Sequence, residues 1–201
     1  MKYTIFVLSA VTGTGKTTMA NRLLARDKQI RRSVSVTTRP PRAGEIEGAS
    51  YRFVTSKQFR AWIDADLFLE FSQVYGYWYG VLKEDFFNLI KQQDVLMVID
   101  CQGAAVLKQL YDRVVSVFVL PPDRDVLSNR LKYRGASDEL IQKRLAMSNA
   151  ELDASVTFDY WIVNDDLEAA VDDLVSIVRV ERLKTSNQQI SHPGLVSSLR
   201  S

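Results

Sequence analysis

The sequence predicts an α/β fold: an open sheet of parallel strands flanked by helices, interrupted by one small β-rich lobe and one polar helical insertion. Three observations carry this. Short Val- and Ile-rich runs are apolar almost throughout, as strands covered on both faces are. Helical patterns separate those runs, and such alternation over most of a chain means a mainly parallel sheet. Residues Arg39–Tyr79 then drop the alternation for a proline-glycine turn and aromatic strand-like pieces. A chain of 201 residues, 46% of them hydrophobic, suits one domain with inserted lobes.

In chain order, the core strands are expected at Ile5–Ser9, Val95–Ile99, Val114–Leu120 and Tyr160–Val163, with a weaker one at Ser33–Thr37. Lys16–Arg26 reads as a helix with Met19, Ala20, Leu23 and Leu24 facing inward. Asp166–Arg182 reads as another, because Leu167, Val171, Leu174, Val175 and Val178 fall on one stripe. Asp165 with Glu168 fits an Asp variant of the capping box at its start. Within the β-rich lobe a short helix is expected near Ser56–Asp64. The segment around Arg130–Arg144 reads as the polar helical insertion, and the Ser/Gln-rich residues after Lys184 as a frayed tail.

Bulk composition narrows the partners. The net charge is +2 and the basic residues are dispersed, so no nucleic-acid face is expected. One cysteine, Cys101, excludes an intramolecular disulfide and fits a reducing compartment. No run approaches the ~18 apolar residues of a membrane span, and the N-terminal pattern is not that of a signal peptide. The expectation is a cytoplasmic protein without membrane or nucleic-acid partners. His192, the single histidine, lies in the tail, which argues against histidine acid/base chemistry.

The first motif is "AVTGTGKT", Ala10 to Thr17, placed between a strand and a helix. It fits the Walker A pattern G-x-x-x-x-G-K-[ST], with Ala10 at the first glycine position. Gly13 and Gly15 permit positive φ and bring backbone N–H groups toward phosphate oxygens. The helix start adds its positive dipole end. Lys16 is expected to reach the β- and γ-phosphates, and the Thr17 hydroxyl to ligate Mg²⁺. A bound nucleoside triphosphate is compatible with phosphoryl transfer, with coupled hydrolysis or with binding alone.

The second motif is "SVSVTTRPPRAGE". Pro40 and Pro41 restrict the backbone between Arg39 and Arg42, so two guanidinium groups suit a second anion. Ser35 and Tyr51 are positioned to add hydroxyls. From the residues alone, surface salt bridges are the competing reading. Glu70, in "FLEFSQ", reads either as a carboxylate for the N1/N2 edge of guanine or as the partner of a nearby arginine.

Together these pieces resemble the guanylate kinase family, over about Tyr3 to Lys184. The resemblance rests on "SAVTGTGKTT", "SVTTRPPRAGEIEGASYRFV", "GYWYG", "IDCQGA", "VFVLPPDRDVLSNRL" and "YWIVNDDLEAAVDDL". It implies a P-loop nucleoside monophosphate kinase fold: a parallel sheet core with an inserted β-rich GMP-binding lobe and a helical lid. The implied division is one domain over 1–184, with core 1–34, 82–128 and 146–184, lobe 35–81, lid 129–145, and a flexible tail at 185–201. The implied reaction is Mg²⁺-dependent transfer of the ATP γ-phosphate to GMP or dGMP, by a monomer or homodimer.

The resemblance also implies site residues. Val11, Thr12, Gly13, Thr14, Gly15, Lys16, Thr17 and Thr18 hold ATP, with Arg130 beside them and Asn164 at the adenine end. Ser35, Arg39, Arg42, Tyr51 and Tyr79 hold the GMP phosphate, and Glu70 reads the guanine. Lys16, Arg39, Arg134 and Arg144 converge on the transferring group. Thr17 meets Mg²⁺ directly, and Asp100 meets it through water. The other aromatics of "YGYWYG" are expected to pack the lobe.

Three departures from the family pattern stand out. Val81 occupies a position that usually carries a Ser or Thr hydroxyl for the guanine O6 side, and Val98 the position of the first Asp of "D-x-D". The span from Arg134 to Arg144 is one residue shorter than usual. The two valines keep open a kinase of the same fold acting on another phosphorylated acceptor. A non-catalytic guanylate-kinase-like binding module is the remaining alternative, against which the intact Gly13, Gly15, Lys16 and Thr17 argue.

Overall fold

The computed structural model describes residues 2–133 and 137–200. Five parallel strands form the core sheet in the order β2-β7-β1-β8-β9: Ile30–Arg32, Asp94–Val98, Ile5–Ala10, Val114–Leu120 and Tyr160–Val163. β1 is central and buried along its whole length. Its alternate side chains serve two layers, which explains why its sequence is apolar throughout rather than alternating. Phe6 and Leu8 pack against α1 (Lys16–Arg26) and α7 (Leu167–Leu183). Ile5 and Val7 pack against α3 (Lys83–Ile90) and α4 (Cys101–Leu110). A third cluster joins Val11 and Phe118 to α5 (Arg124–Tyr133) and α6 (Asp138–Ser155) through Leu127, Leu131, Ile141 and Leu145.

A second sheet carries the lobe in the order β4-β3-β6-β5: Arg52–Phe53, Val36–Thr37, Tyr77–Leu82 and Phe68–Val74. β5 and β6 are an antiparallel hairpin turning at Tyr75 and Gly76, both at positive φ. Helix α2 (Ser56–Asp64) covers this sheet, with Phe59 stacked on Phe68 at 4.4 Å. A complete capping box from Thr55 and Gln58 starts it.

Several expectations are corrected. The fifth core strand is Ile30–Arg32, whereas Ser33–Thr37 leaves the core and places only Val36 and Thr37 in the lobe sheet. The cap of α7 is Asp166, which accepts from the Ala169 N–H at 2.8 Å. Asn164 is buried below the sheet end, so the helix begins one residue later, and Glu168 pairs with Arg22 and Arg26 instead. Beyond the segment expected to be a polar helical insertion, α6 runs on to Ser155, anchored by Ile141 and Leu145. Where composition predicts a frayed tail, α8 (Thr185–Ser191) and α9 (Leu195–Ser198) follow. Asn187 and Gln188 there donate to the Glu181 and Arg182 carbonyls. Among the described residues no helix is long and apolar enough to cross a membrane.

Candidate active site

The phosphate loop leaves β1 at the sheet's C-terminal edge, where strand order reverses and ligands of open α/β sheets bind. Gly13 and Gly15 sit at φ +105° and +96°, and a Cβ on Gly15 would lie 2.7 Å from the Asn164 Nδ2. The loop is closed from inside: Thr14 turns inward, its hydroxyl donating to Val11 O at 2.8 Å. Asn164 Nδ2 donates to Thr14 O at 2.5 Å. Lys16 is half-buried and donates to Ile99 O, at the end of β7, at 3.3 Å. Burial pulls its pKa down, while Glu151 and Asp100 pull it back up.

Opposite this loop, across a cavity of about 440 Å³, stands the arginine turn. Arg39 is only 7% exposed. Its Nη2 donates to both Glu45 oxygens, at 2.7 and 3.0 Å, and Glu45 also accepts from the Arg42 N–H at 2.7 Å. The Arg39 guanidinium lies 5.5 Å from the Tyr51 ring, which meets Tyr79 edge-on at 6.1 Å. Burial works against the Arg39 charge, but Glu45 and Tyr79 more than offset it. Glu45, not the prolines alone, therefore holds Arg39. The sequence reading missed it, although its place three residues after Arg42 is the available signal. Ser35 and Arg42 line the same cavity.

At the inner end, register decides the chemistry. Glu70 faces Val81 and Ser72 faces Tyr79 across the β5–β6 ladder, so these side chains share one face. Glu70 is 6% exposed, and burial plus the neighbouring Asp100 push its pKa up to about 8. Gly103 on α4 makes room for it: a Cβ there would stand 2.5 Å from Glu70 Oε2. Asp100 caps α4, accepting from the Gln102 and Gly103 N–H groups at 2.9 Å each, and also accepts from the Ser72 hydroxyl. Glu70 is thus a carboxyl group beside the Asp100 carboxylate, and among the described residues it has no arginine partner. Val98 lines the cavity wall, whereas Val81 is fully buried in the core cluster of Leu69 and Phe86.

The lid side is mixed. Arg144 reaches the cavity, its guanidinium 5.8 Å from the Tyr75 ring, and the Tyr75 hydroxyl is within hydrogen-bonding range of the Thr12 side chain. Tyr75 and Tyr77 line the cavity, which corrects the expectation that these aromatics only pack the lobe. Glu151 on α6 is a further residue that the sequence did not flag: it lines the cavity close to Thr12 and faces Lys16. Burial raises its pKa against the attraction of Lys16. Arg130 and Asn164 do not line the cavity; Arg130 Nη2 donates to Asn164 O at 3.0 Å, and the pair buttresses the loop from below. Thr14 likewise faces inward, while Val11, Thr12, Gly13, Gly15, Lys16, Thr17 and Thr18 line the cavity. Arg134 lies outside the described residues.

A main-chain phosphate cradle and a tyrosine-flanked arginine thus face each other across one cavity. Known proteins resemble this chain in sequence and fold. A sequence model of the guanylate kinase family matches residues 2–181. The chain is 48% identical to a guanylate kinase of Neisseria gonorrhoeae over 189 residues, covering 93% of this chain and 92% of that protein. It is 41% identical to a guanylate kinase of Escherichia coli over 202 residues, covering 98% and 97%. The crystal structure of guanylate kinase from Anaplasma phagocytophilum superposes with a TM-score of 0.76 at 35% identity, covering 91% of this chain and 88% of that one. With a family model spanning nearly the whole chain, relatives matched end to end and a shared three-dimensional plan, the chain belongs to the guanylate kinase family.

Proposed function

We propose that the chain transfers the γ-phosphoryl group of ATP to GMP or dGMP, giving ADP and GDP or dGDP. One observation carries the reading: the phosphate loop and the Arg39–Tyr51–Tyr79 grip open onto the same cavity, with a carboxylate pocket beyond them. An oxygen of the acceptor phosphate attacks the γ-phosphorus. The bond from that phosphorus to the β–γ bridging oxygen breaks, and ADP departs with the electron pair. The acceptor oxygen is already anionic at neutral pH, so positioning and charge neutralisation do the catalytic work.

Lys16 supplies charge from the loop, and Arg39 from the acceptor side once it exchanges Glu45 for phosphate. Arg144, with Arg134, supplies it from the helical side. Ser35 and Arg42 complete the acceptor grip, and Glu70 accepts from the guanine N1/N2 edge. Asn164 and Arg130 support the loop. Mg²⁺ fits the residues present, because the Thr17 hydroxyl is a hard oxygen donor on the cavity beside the phosphate loop. Among the described residues no cluster of three acidic, His or Cys side chains is able to hold a metal unaided. When bound, the ion would neutralise charge on the nucleotide phosphates. The setting is cytoplasmic, with ATP and GMP as the partners.

A second reading, relaxed base selectivity, has one observation in its favour: Val98, on the cavity wall, offers no hydrogen bond. A coupled assay of ADP release with ATP against GMP, dGMP, AMP, UMP and ribose bisphosphates decides between them. Preferential turnover of GMP and dGMP is expected. No turnover of GMP, or a better acceptor elsewhere in that panel, overturns the main reading.

A further inference from the structure

Ser72 has no part in the transfer described so far, yet it is 5% exposed and lines the cavity. Its hydroxyl is already committed, donating to Asp100 Oδ2. The other oxygen, Oδ1, accepts from two N–H groups in the first turn of α4. Asp100 is therefore gripped from two sides, by a lobe strand and by a core helix. Among the described residues, Oδ2 has no second donor. Glu70 lies two residues from Ser72 on the same face of β5, and the walls around the pair include the apolar Val98.

The hydrogen-bond arithmetic of the base is demanding. A guanine offers three N–H bonds along one edge, one on N1 and two on the 2-amino group. A single carboxylate takes two of them in a bidentate pair. The third then enters a buried pocket and needs an acceptor of its own, because a buried donor left unpaired loses its hydrogen bond to water without replacement. Asp100 is the carboxylate placed beside Glu70 for that purpose, and its usefulness depends on where its free lone pair points.

We propose that Ser72 is a positioning residue for base specificity: by tethering Asp100 Oδ2, it aims that carboxylate at the N–H of the guanine 2-amino group that Glu70 leaves unpaired. The proposal rests on the GMP reading above. It differs from a purely structural role in one respect. A hydroxyl that merely fills space affects every purine monophosphate alike, whereas this one affects only purines bearing a 2-amino group.

The test compares GMP with IMP, which lacks that group, in the wild type and Ser72→Ala. IMP is measured as a substrate or, where turnover is slow, as an inhibitor competing with GMP. For GMP, Ser72→Ala is expected to raise KM about 5- to 10-fold with kcat within about twofold. For IMP the constant stays within about twofold, so the preference for GMP shrinks by nearly the whole factor. In an Asp100→Asn background, Ser72→Ala adds nothing further. A thermal melt checks that the single variant is folded. Equal losses for both nucleotides, an unchanged GMP/IMP ratio, or an undiminished effect in the Asp100→Asn background overturns the proposal alone. A wild type inactive on GMP overturns the functional reading and this proposal together.

Discussion

The two ends of the cavity, proposed to hold phosphate, are built by different means. At the donor end the contacts come from a contiguous loop, where two glycines at positive φ turn main-chain N–H groups outward and one lysine adds charge. At the acceptor end they come from side chains brought together by the lobe, and each needs a holder of its own. Arg39 is held by Glu45, Tyr51 packs on Tyr79, and Asp100 is held by Ser72. A main-chain grip tolerates neighbouring substitutions as long as backbone geometry survives. A side-chain grip spreads its requirements over second residues that never meet the substrate.

The largest test of this contrast is Lys16→Ala. Loss of a charge aimed at the transferring group is expected to lower kcat by roughly 10²–10³-fold or more. The fold should survive, because burial already penalises the Lys16 charge. A coupled ADP assay and a thermal melt read both quantities, and GMP binding by calorimetry should persist. If GMP binding fell with kcat, the two ends would not be separable.

Gly103→Ala probes the other end. Its new methyl would lie 2.5 Å from Glu70 Oε2, so the GMP KM should rise about 10-fold or more. The ATP KM should change less than about twofold, because the cradle is untouched. An equal rise in both would show that strain spreads through α4 into the phosphate loop.

The smallest effect is a pH slope. Glu70 titrates near 8 in the fold against an ordinary value of 4.5, so the folded state keeps a proton that the unfolded chain releases. The stability linked to that proton is fully present below pH 4.5 and is lost as pH rises through about 8. The slope across the window is at most about 1.4 kcal/mol per pH unit. Urea midpoints between pH 6 and pH 8.5 should fall for the wild type and stay flatter for Glu70→Gln. Parallel slopes would mean that Glu70 is ionised in the empty pocket.

The same contrast explains what the sequence made legible. The phosphate loop is one run of residues between a strand and a helix, so its geometry follows from local rules, and α1 has the bounds that its periodicity predicts. The acceptor grip was half legible: the arginines and Tyr79 stand in a compact motif, but Glu45 acts on them only once Gly44, at φ +80°, has turned the chain. The holders at long range were illegible. Ser72 and Asp100 are 28 residues apart, and Asn164 reaches Thr14 across 150. No local pattern reports that such pairs meet. The fifth core strand was misplaced for a related reason: β2 is three residues long and owes its place to pairing with β7 rather than to its own composition.

The β5–β6 hairpin has a geometric consequence. Glu70 and Val81 sit where the hairpin joins the core, while Tyr75 at its tip meets the phosphate loop. At about 3.3 Å per residue the two points are roughly 15 Å apart. One paired ladder therefore carries Glu70 at its root and Tyr75 at its tip, so the two ends of the cavity share a single structural element.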